Sequence, residues 1–483
     1  MPREMRALVL CGAFLVASCT AAAAGQVPEA ASSPDSPISH RDRVYAAEQF
    51  SNTVSVIDPA ANDLLGVIRL GDPQPGNLSP LYRGQVLVHG LGFSPDHRTL
   101  AVVSIGSNSV TFIDTATNAV EHTTYVGRSP HEAFFTPDGR ELWVTVRGED
   151  YVQVLDGKTY AEKSRITLAP GPGMQIFSPD GKYGFVCSSF TPELAVIDVK
   201  THKRVATVKQ ESPFCPNIAA APEGDQVWLT LKDVGRVMVI DGTPPFALRK
   251  VLETGPITNH VNLVRNANGR FAYVTVGGLN QVQVYRTDTF ERVASIPVGS
   301  LPHGIWPSGD GTRVYVANEN GDTVSVIDTL ANQVVATIPI GQAAQALVYV
   351  PEAVPVDSHG TANLQPLALA GQATRLTLGP VGGPAASTVA LFDQGVIQVL
   401  QVTATGLSPK RAYLLVLAGD PNGGGTLEPI ARFTTNPAGA ANVDTMGPIR
   451  QVVHGEAGSS QRWLAIVEAD TQGAPGKLVQ IQQ

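Results

Sequence analysis

The sequence predicts an all-β chain: a seven-bladed β-propeller closed by pairing of its N- and C-terminal strands, followed by a small β-sandwich domain. Three observations carry that expectation. The third strands of successive units end in "VSVID", "VTFID", "VQVLD", "LAVID", "VMVID", "VQVYR" and "VSVID", which places Asp58, Asp114, Asp156, Asp198, Asp241, Arg286 and Asp328 at equivalent points. After a first interval of 56 residues these points recur every 42 to 45 residues, the period of propeller blades. Short apolar strands separated by Asp-Gly, Pro-Asp or Asn-Gly turns fill each unit, and 47 Gly and 36 Pro against 16% charged residues fit that pattern.

The elements follow in chain order. Residues 1–25 read as a processing signal: Arg3 and Arg6 precede the apolar run "ALVLCGAFLVA", which is too short to span a bilayer as a helix. The run ends in "LVASC", which resembles the lipobox of bacterial lipoproteins and makes Cys19 the lipidated residue; ordinary signal cleavage within "AAAAG" is the alternative. Either route predicts an extracytoplasmic protein, periplasmic or anchored to the outer membrane, touching the membrane only through the lipid. Residues 26–42, rich in Pro, Ser and Ala, read as a flexible tether.

Residues 43–356 hold the repeats. In strands such as "VSVI" the apolar residues hardly alternate, as expected where neighbouring blades cover both faces of a sheet. The first unit begins at "VYAAEQ" and supplies three strands. Its missing innermost strand is "ALVYV", residues 346–350, after the seventh unit. Pairing the termini in one blade removes the open edge that an unclosed ring would leave. The segment "LPHGIWPSGDGTRVYVANENGDTVSVIDTLANQVVATIPIG" resembles the repeat of YVTN-type β-propellers, a resemblance covering residues 43–351 that implies fold rather than one chemistry.

Residues 357–483 break the period. Short strands split by Gly, Pro and Asn suggest the β-sandwich. Through "GLSP", "AYLLVL" and "PIARFTTNPAGAA" this part resembles the extracytoplasmic domain of anti-sigma-K-factor-like proteins, which implies an accessory binding or packing domain.

The candidate chemistry lies at one mouth of the central channel. Counted back from the Pro-Asp turn, His89, His131 and His303 open their innermost strands at one equivalent position, with Gln345 there in the closing blade. In the sixth unit Val261 takes that position and His260 precedes it. Around the ring the order is His260, His303, Gln345, His89, His131, an arc that could bind Cu or Zn, since converging imidazoles suit either ion. The alternative is structural, each imidazole hydrogen bonding to the backbone of the next blade.

Loops between second and third strands should open at the same mouth, where Gln49, Ile105, Arg147, Ser189, Lys232, Gly277 and Glu319 fall at matching points. With Gln345, the polar members Gln49, Arg147, Lys232 and Glu319 line a funnel suited to a small polar or anionic ligand. An insertion of about 14 residues before His89 adds Tyr82 and Arg83 as candidates. Cys187 and Cys215 form a candidate disulfide, with Cys187 as a small buried hydrophobe the other reading.

The net charge of -8 and the lack of a basic tract argue against a nucleic-acid partner. Haem-attachment, P-loop, nucleophile-elbow and zinc-protease signatures are absent. The expected function is therefore a monomeric binding or scaffold propeller that recognises a small ligand or an envelope protein at the channel mouth. A Cu or Zn protein, or a copper-dependent oxidoreductase built on the histidine arc, is the alternative, and a propeller lyase a further one.

Overall fold

The computed structural model describes residues 37–71, 86–367, 373–393, 398–447, 461–470 and 472–483. Cys19, Tyr82 and Arg83, with the signal segment and most of the tether, lie outside the described residues. Seven four-stranded antiparallel sheets form the blades, and eight further strands form one sheet. The one helical turn among the described residues is a 3-10 turn at Gly277–Leu279.

The repeated Asp has a definite job. In five of the blades its Oδ1 accepts backbone N–H groups two or three residues on: Ala60 for Asp58 (2.9 Å), Thr117 for Asp114 (2.8 Å), Thr159 for Asp156 (2.9 Å), Thr201 for Asp198 (2.8 Å) and Leu330 for Asp328 (2.9 Å). Each bond folds the chain back from third to fourth strand. Blade six lacks this Asp, and Asp288 serves instead, accepting Thr289 N–H and gripping Arg286 at 2.9 Å. The turns between first and second strands follow one rule too: Ser178 and Ser308 donate to Asp180 and Asp310 two residues later at 2.6 and 2.7 Å.

Burial explains why the inner strands show no alternation. Thr53–Asp58 is buried at every position, whereas the outermost Glu162–Thr167 buries only Ile166. Large side chains from adjoining sheets fill the spaces between blades. Trp306 of blade seven, Val44 of blade one and Phe93 of blade two belong to one cluster, so the closing blade is packed on both sides.

Closure occurs as the sequence predicts. Ala344–Val350 is the innermost strand of blade one and pairs with Arg43–Glu48, with Val44 opposite Tyr349 and Ala46 opposite Leu347. The pairing is locked at its far end, where Tyr349 donates its hydroxyl to Asp42 at 2.5 Å and Arg41 meets Glu352 at 3.2 Å. Residues 41 and 42, read as part of a tether, are thus already anchored to the ring.

The chain then leaves from the face opposite the mouth. Asn118 donates to Gly360 O and Ala362 O, both at 3.0 Å, and Gln365 bridges to Val67 on the outer strand of blade one. This path carries it up the outside of the ring toward the mouth. The sandwich expected beyond it takes the form of a single antiparallel sheet, in the order Leu427–Thr434, Ala412–Ala418, Trp463–Ala469, Pro475–Gln482, Ala373–Gly379, Ser387–Asp393, Gln398–Ala404, Ala441–Gly447. Its two edge strands approach each other, Thr445 Oγ1 donating to Ile430 O at 3.3 Å, so the sheet coils into a nearly closed barrel. Leu400, Leu415 and Ile466 lie in its interior, and two apolar faces meet as they would in a sandwich.

Candidate functional site

In six of the seven blades the innermost strand begins with an irregularity, and those at the histidines set the site. In blade two Val88 pairs with Ser104 and Leu91 with Val102, so His89 and Gly90 together face Val103. Blades three and seven do the same with His131-Glu132 and His303-Gly304. Such bulges re-aim a side chain away from the regular pleat. The following Gly has a steric reason: a Cβ on Gly90 would stand 2.3 Å from His131 O of the next blade.

Blade six corrects the sequence alignment. Thr258 pairs with Val276 and Val261 with Val274, so Asn259 and His260 form its bulge and Asn259, not Val261, matches His303. The count slipped because this hairpin turns at Ala267-Asn268 instead of a Pro-Asp turn, with strands of nine and eight residues. His260 takes the second bulge position and still reaches the arc: its ring centroid lies 4.6 Å from that of His303.

The structure gathers the four histidines into two pairs with different roles. His303 Nδ1–H donates to Gln345 O at 2.6 Å, the bond to the next blade foreseen as a structural role. His89 Nε2 and His131 Nε2 stand 3.1 Å apart with ring centroids 4.5 Å apart, and His89 Nδ1 is 3.3 Å from Gln49 Oε1. If His89 donates from Nδ1 to Gln49, its Nε2 accepts from His131, which leaves His131 Nδ1 as a buried acceptor with no partner. Burial disfavours the charged form at all four: it brings His89 and His260 down to about 3 and lowers His131 and His303 well below the usual range. The imidazoles are therefore neutral at physiological pH. Among the described residues no three His, Cys, Asp or Glu side chains are grouped closely enough to enclose a metal ion.

The loops between second and third strands open at the same mouth. Glu319 N–H donates to Leu301 O at 2.9 Å, Lys232 N–H to Phe214 O at 3.2 Å and Gln49 N–H to Ala343 O at 3.0 Å, each acceptor lying two residues before the first bulge position or its equivalent. Arg147 lies over Phe190 and Phe214, 5.5 and 5.3 Å from their ring centroids, and Lys232 Nζ is 5.6 Å from the Phe214 ring. Desolvation lowers the pKa of both cations. Glu319, 7% exposed, has its carboxyl pushed up to about 7 by desolvation, against the attraction of Lys232, and its Oε2 has no partner. Gln345 is buried beside it and donates to Ala343 O at 3.3 Å.

Sequence reasoning missed the roof of this site. The C-terminal barrel docks on the mouth face through blades one, five, six and seven. Phe50 meets Phe392 edge-on at 6.0 Å, Ala438 N–H donates to Asp233 O at 3.2 Å, Ser300 donates to Thr388 at 2.9 Å, and Arg375 meets Asp322 at 3.2 Å. Ile257, Leu301 and Ala440 form a small apolar cluster at the join. Asp444 on a barrel edge strand acts electrostatically on both Lys232 and Glu319. Asp444 itself is exposed, and desolvation raises its carboxyl. Glu132, buried at the second bulge position of blade three with its carboxyl raised well above the usual range, was missed as well; it accepts Leu91 N–H at 2.9 Å. The lone exception to "His-Gly" was its only signal.

Cys187 and Cys215 are joined, with sulfurs 2.12 Å apart, and tie blade four to the start of blade five just below Phe214.

No curated protein sequence matches the chain. Among solved structures it is similar to Kuenenia stuttgartiensis hydrazine synthase at 19% identity, over 58% of this chain and 90% of that one, with a TM-score of 0.50. It is similar also to a functionally unknown protein from Desulfotomaculum acetoxidans at 14% identity, over 63% and 98% of the two chains, with a TM-score of 0.54. At these identities the likeness concerns the fold alone. The repeats, the ring they close and a family match spanning residues 2–355 agree: the chain belongs to the YNCE-like beta-propeller family.

Proposed function

We propose that this protein is a binding protein whose ligand is a small molecule held between the propeller mouth and the C-terminal barrel. One observation carries the reading: the mouth that gathers His89, His131, Arg147, Lys232 and Glu319 is roofed by a second domain that adds Asp444 to the same space. Polar groups withdrawn from water are costly unless something pairs with them, and a small ligand carrying complementary groups would do so here. The Cys187–Cys215 disulfide supports the extracytoplasmic location read from the N-terminus, with Cys19 as the proposed anchor.

A second reading, a Cu or Zn site, is favoured by the 3.1 Å separation of His89 Nε2 and His131 Nε2. Two imidazole nitrogens each about 2 Å from one ion stand at a comparable separation.

Native mass spectrometry of the full-length protein, with elemental analysis of the same sample, tests both readings. A retained organic mass released on denaturation is the expected result. Stoichiometric Cu or Zn that is lost in a His89→Ala, His131→Ala double variant would favour the metal site instead. A protein that carries neither, and retains no small molecule after incubation with cell extract, would sink the chamber reading.

A further inference from the structure

Arg147 and Lys232 are the two cations of the mouth, on the loops of blades three and five, and both face the Phe214 ring. Among the described residues neither takes part in an ion pair, and Arg147 Nε is buried with no hydrogen-bond partner. The nearest acids do not supply the missing charge. Glu319, Asp233 and Asp444 act on Lys232 only from beyond ion-pair distance, and desolvation shifts all three toward the neutral acid. Arg147 has no acid among the influences on it at all.

Magnitudes decide whether the aromatic rings are enough. A cation over a ring gains only a modest stabilisation. Withdrawing an unpaired charge from water costs several times as much. Phe190 and Phe214 therefore offset only part of the cost, and two adjacent, same-sign, partly desolvated charges remain unbalanced. By contrast, Arg375, the cation that the barrel brings to the mouth rim, is paired with Asp322 at 3.2 Å.

We infer that the ligand of the mouth is a small oxyanion, carboxylate or phosphate in chemistry, whose charge is held between Arg147 and Lys232 with the Phe190 and Phe214 rings flanking it. This assignment rests on the reading of the mouth as a ligand chamber and names the class of ligand. The imidazoles across the channel are neutral, and His89, His131 and His303 already give their one N–H within the lining, so the two cations carry the recognition of the anion. The exposed ring of Phe190 offers an apolar surface to the rest of the molecule.

The test uses the full-length protein with two probes, inorganic phosphate and citrate, in calorimetry and thermal unfolding against sodium chloride of equal ionic strength. At least one probe should bind and raise the melting temperature. Arg147→Gln and Lys232→Met should each weaken that binding tenfold or more while leaving the melting temperature in chloride unchanged or higher, because each removes an unpaired desolvated charge. Binding of citrate without phosphate would mark a carboxylate ligand, and the reverse a phosphate. If neither probe binds while mass spectrometry shows a retained neutral molecule, the oxyanion class is overturned and the chamber stands; if nothing is retained either, both fall. Variants that lower the melting temperature in chloride and leave probe binding intact would show the two cations to be structural, which also overturns the assignment.

Discussion

A chain ending at residue 367 is expected to unfold cooperatively, and one ending at residue 342 is expected not to fold at all. The difference is the strand Ala344–Val350, every residue of which is buried against blade one and its neighbours. Without it Arg43–Glu48, also wholly buried, becomes a bare sheet edge, and blades one and seven lose the side chains that fill the space between them. A blade cannot bury its faces alone, so the loss spreads around the ring. The whole stability of the propeller is at stake, about 5 to 15 kcal/mol for a domain. The longer chain keeps the closure and the bonds of Asn118 and Gln365 to the connecting segment, and gives up only the barrel. Urea titrations followed by circular dichroism read the outcome. A sharp transition in the shorter chain would mean that closure is dispensable, and a failure of the longer one would make the barrel part of the propeller's folding unit.

The propeller was legible because its punctuation is local. An Asp that bonds to the backbone two or three residues on, and a Ser that bonds to the Asp two residues on, write each turn into adjacent residues. The site was legible where it repeats the same phrase, as at His89, His131 and His303. It slipped at blade six, where the hairpin turns at Ala267-Asn268 in place of a Pro-Asp turn and strands of nine and eight residues shift the count, so that Asn259 and not Val261 takes the first bulge position. The barrel's roof over the mouth was invisible for a different reason. Asp444 acts on Lys232 from a distance across more than two hundred residues of chain, and Phe392 meets Phe50 across still more, so no spacing could have announced either relation. The single coiled sheet, too, hides behind short strands that would serve a sandwich equally well, because strand order is decided by pairing and not by pattern.

At pH 8, Glu319→Gln is expected to stabilise the protein by about 3 kcal/mol, and at pH 4.5 to change its stability little. In the folded protein the Glu319 carboxyl sits near 7, raised from an ordinary 4.5 by desolvation, with Lys232 pulling the other way and Asp444 and Asp322 adding to the rise. Below the unfolded value both states hold the proton and the stabilising contribution is complete. As pH rises from 4.5 to 7 the unfolded chain gives up its proton while the folded one keeps it, so stability falls by about 1.4 kcal/mol per pH unit. Above 7 both are ionised and the loss is finished. Gln has the shape of the protonated acid and does not ionise, so the variant escapes that loss. Glu48, also pushed up to about 7, follows the same slope in both proteins and cancels in the comparison. Urea midpoints at pH 4.5, 6 and 8 for the two proteins measure the difference. A variant less stable than wild type at pH 8 would mean that Lys232 holds Glu319 ionised as a working ion pair. Lys232 would then have its counter-charge, and only Arg147 would be left to call for an anion from solution.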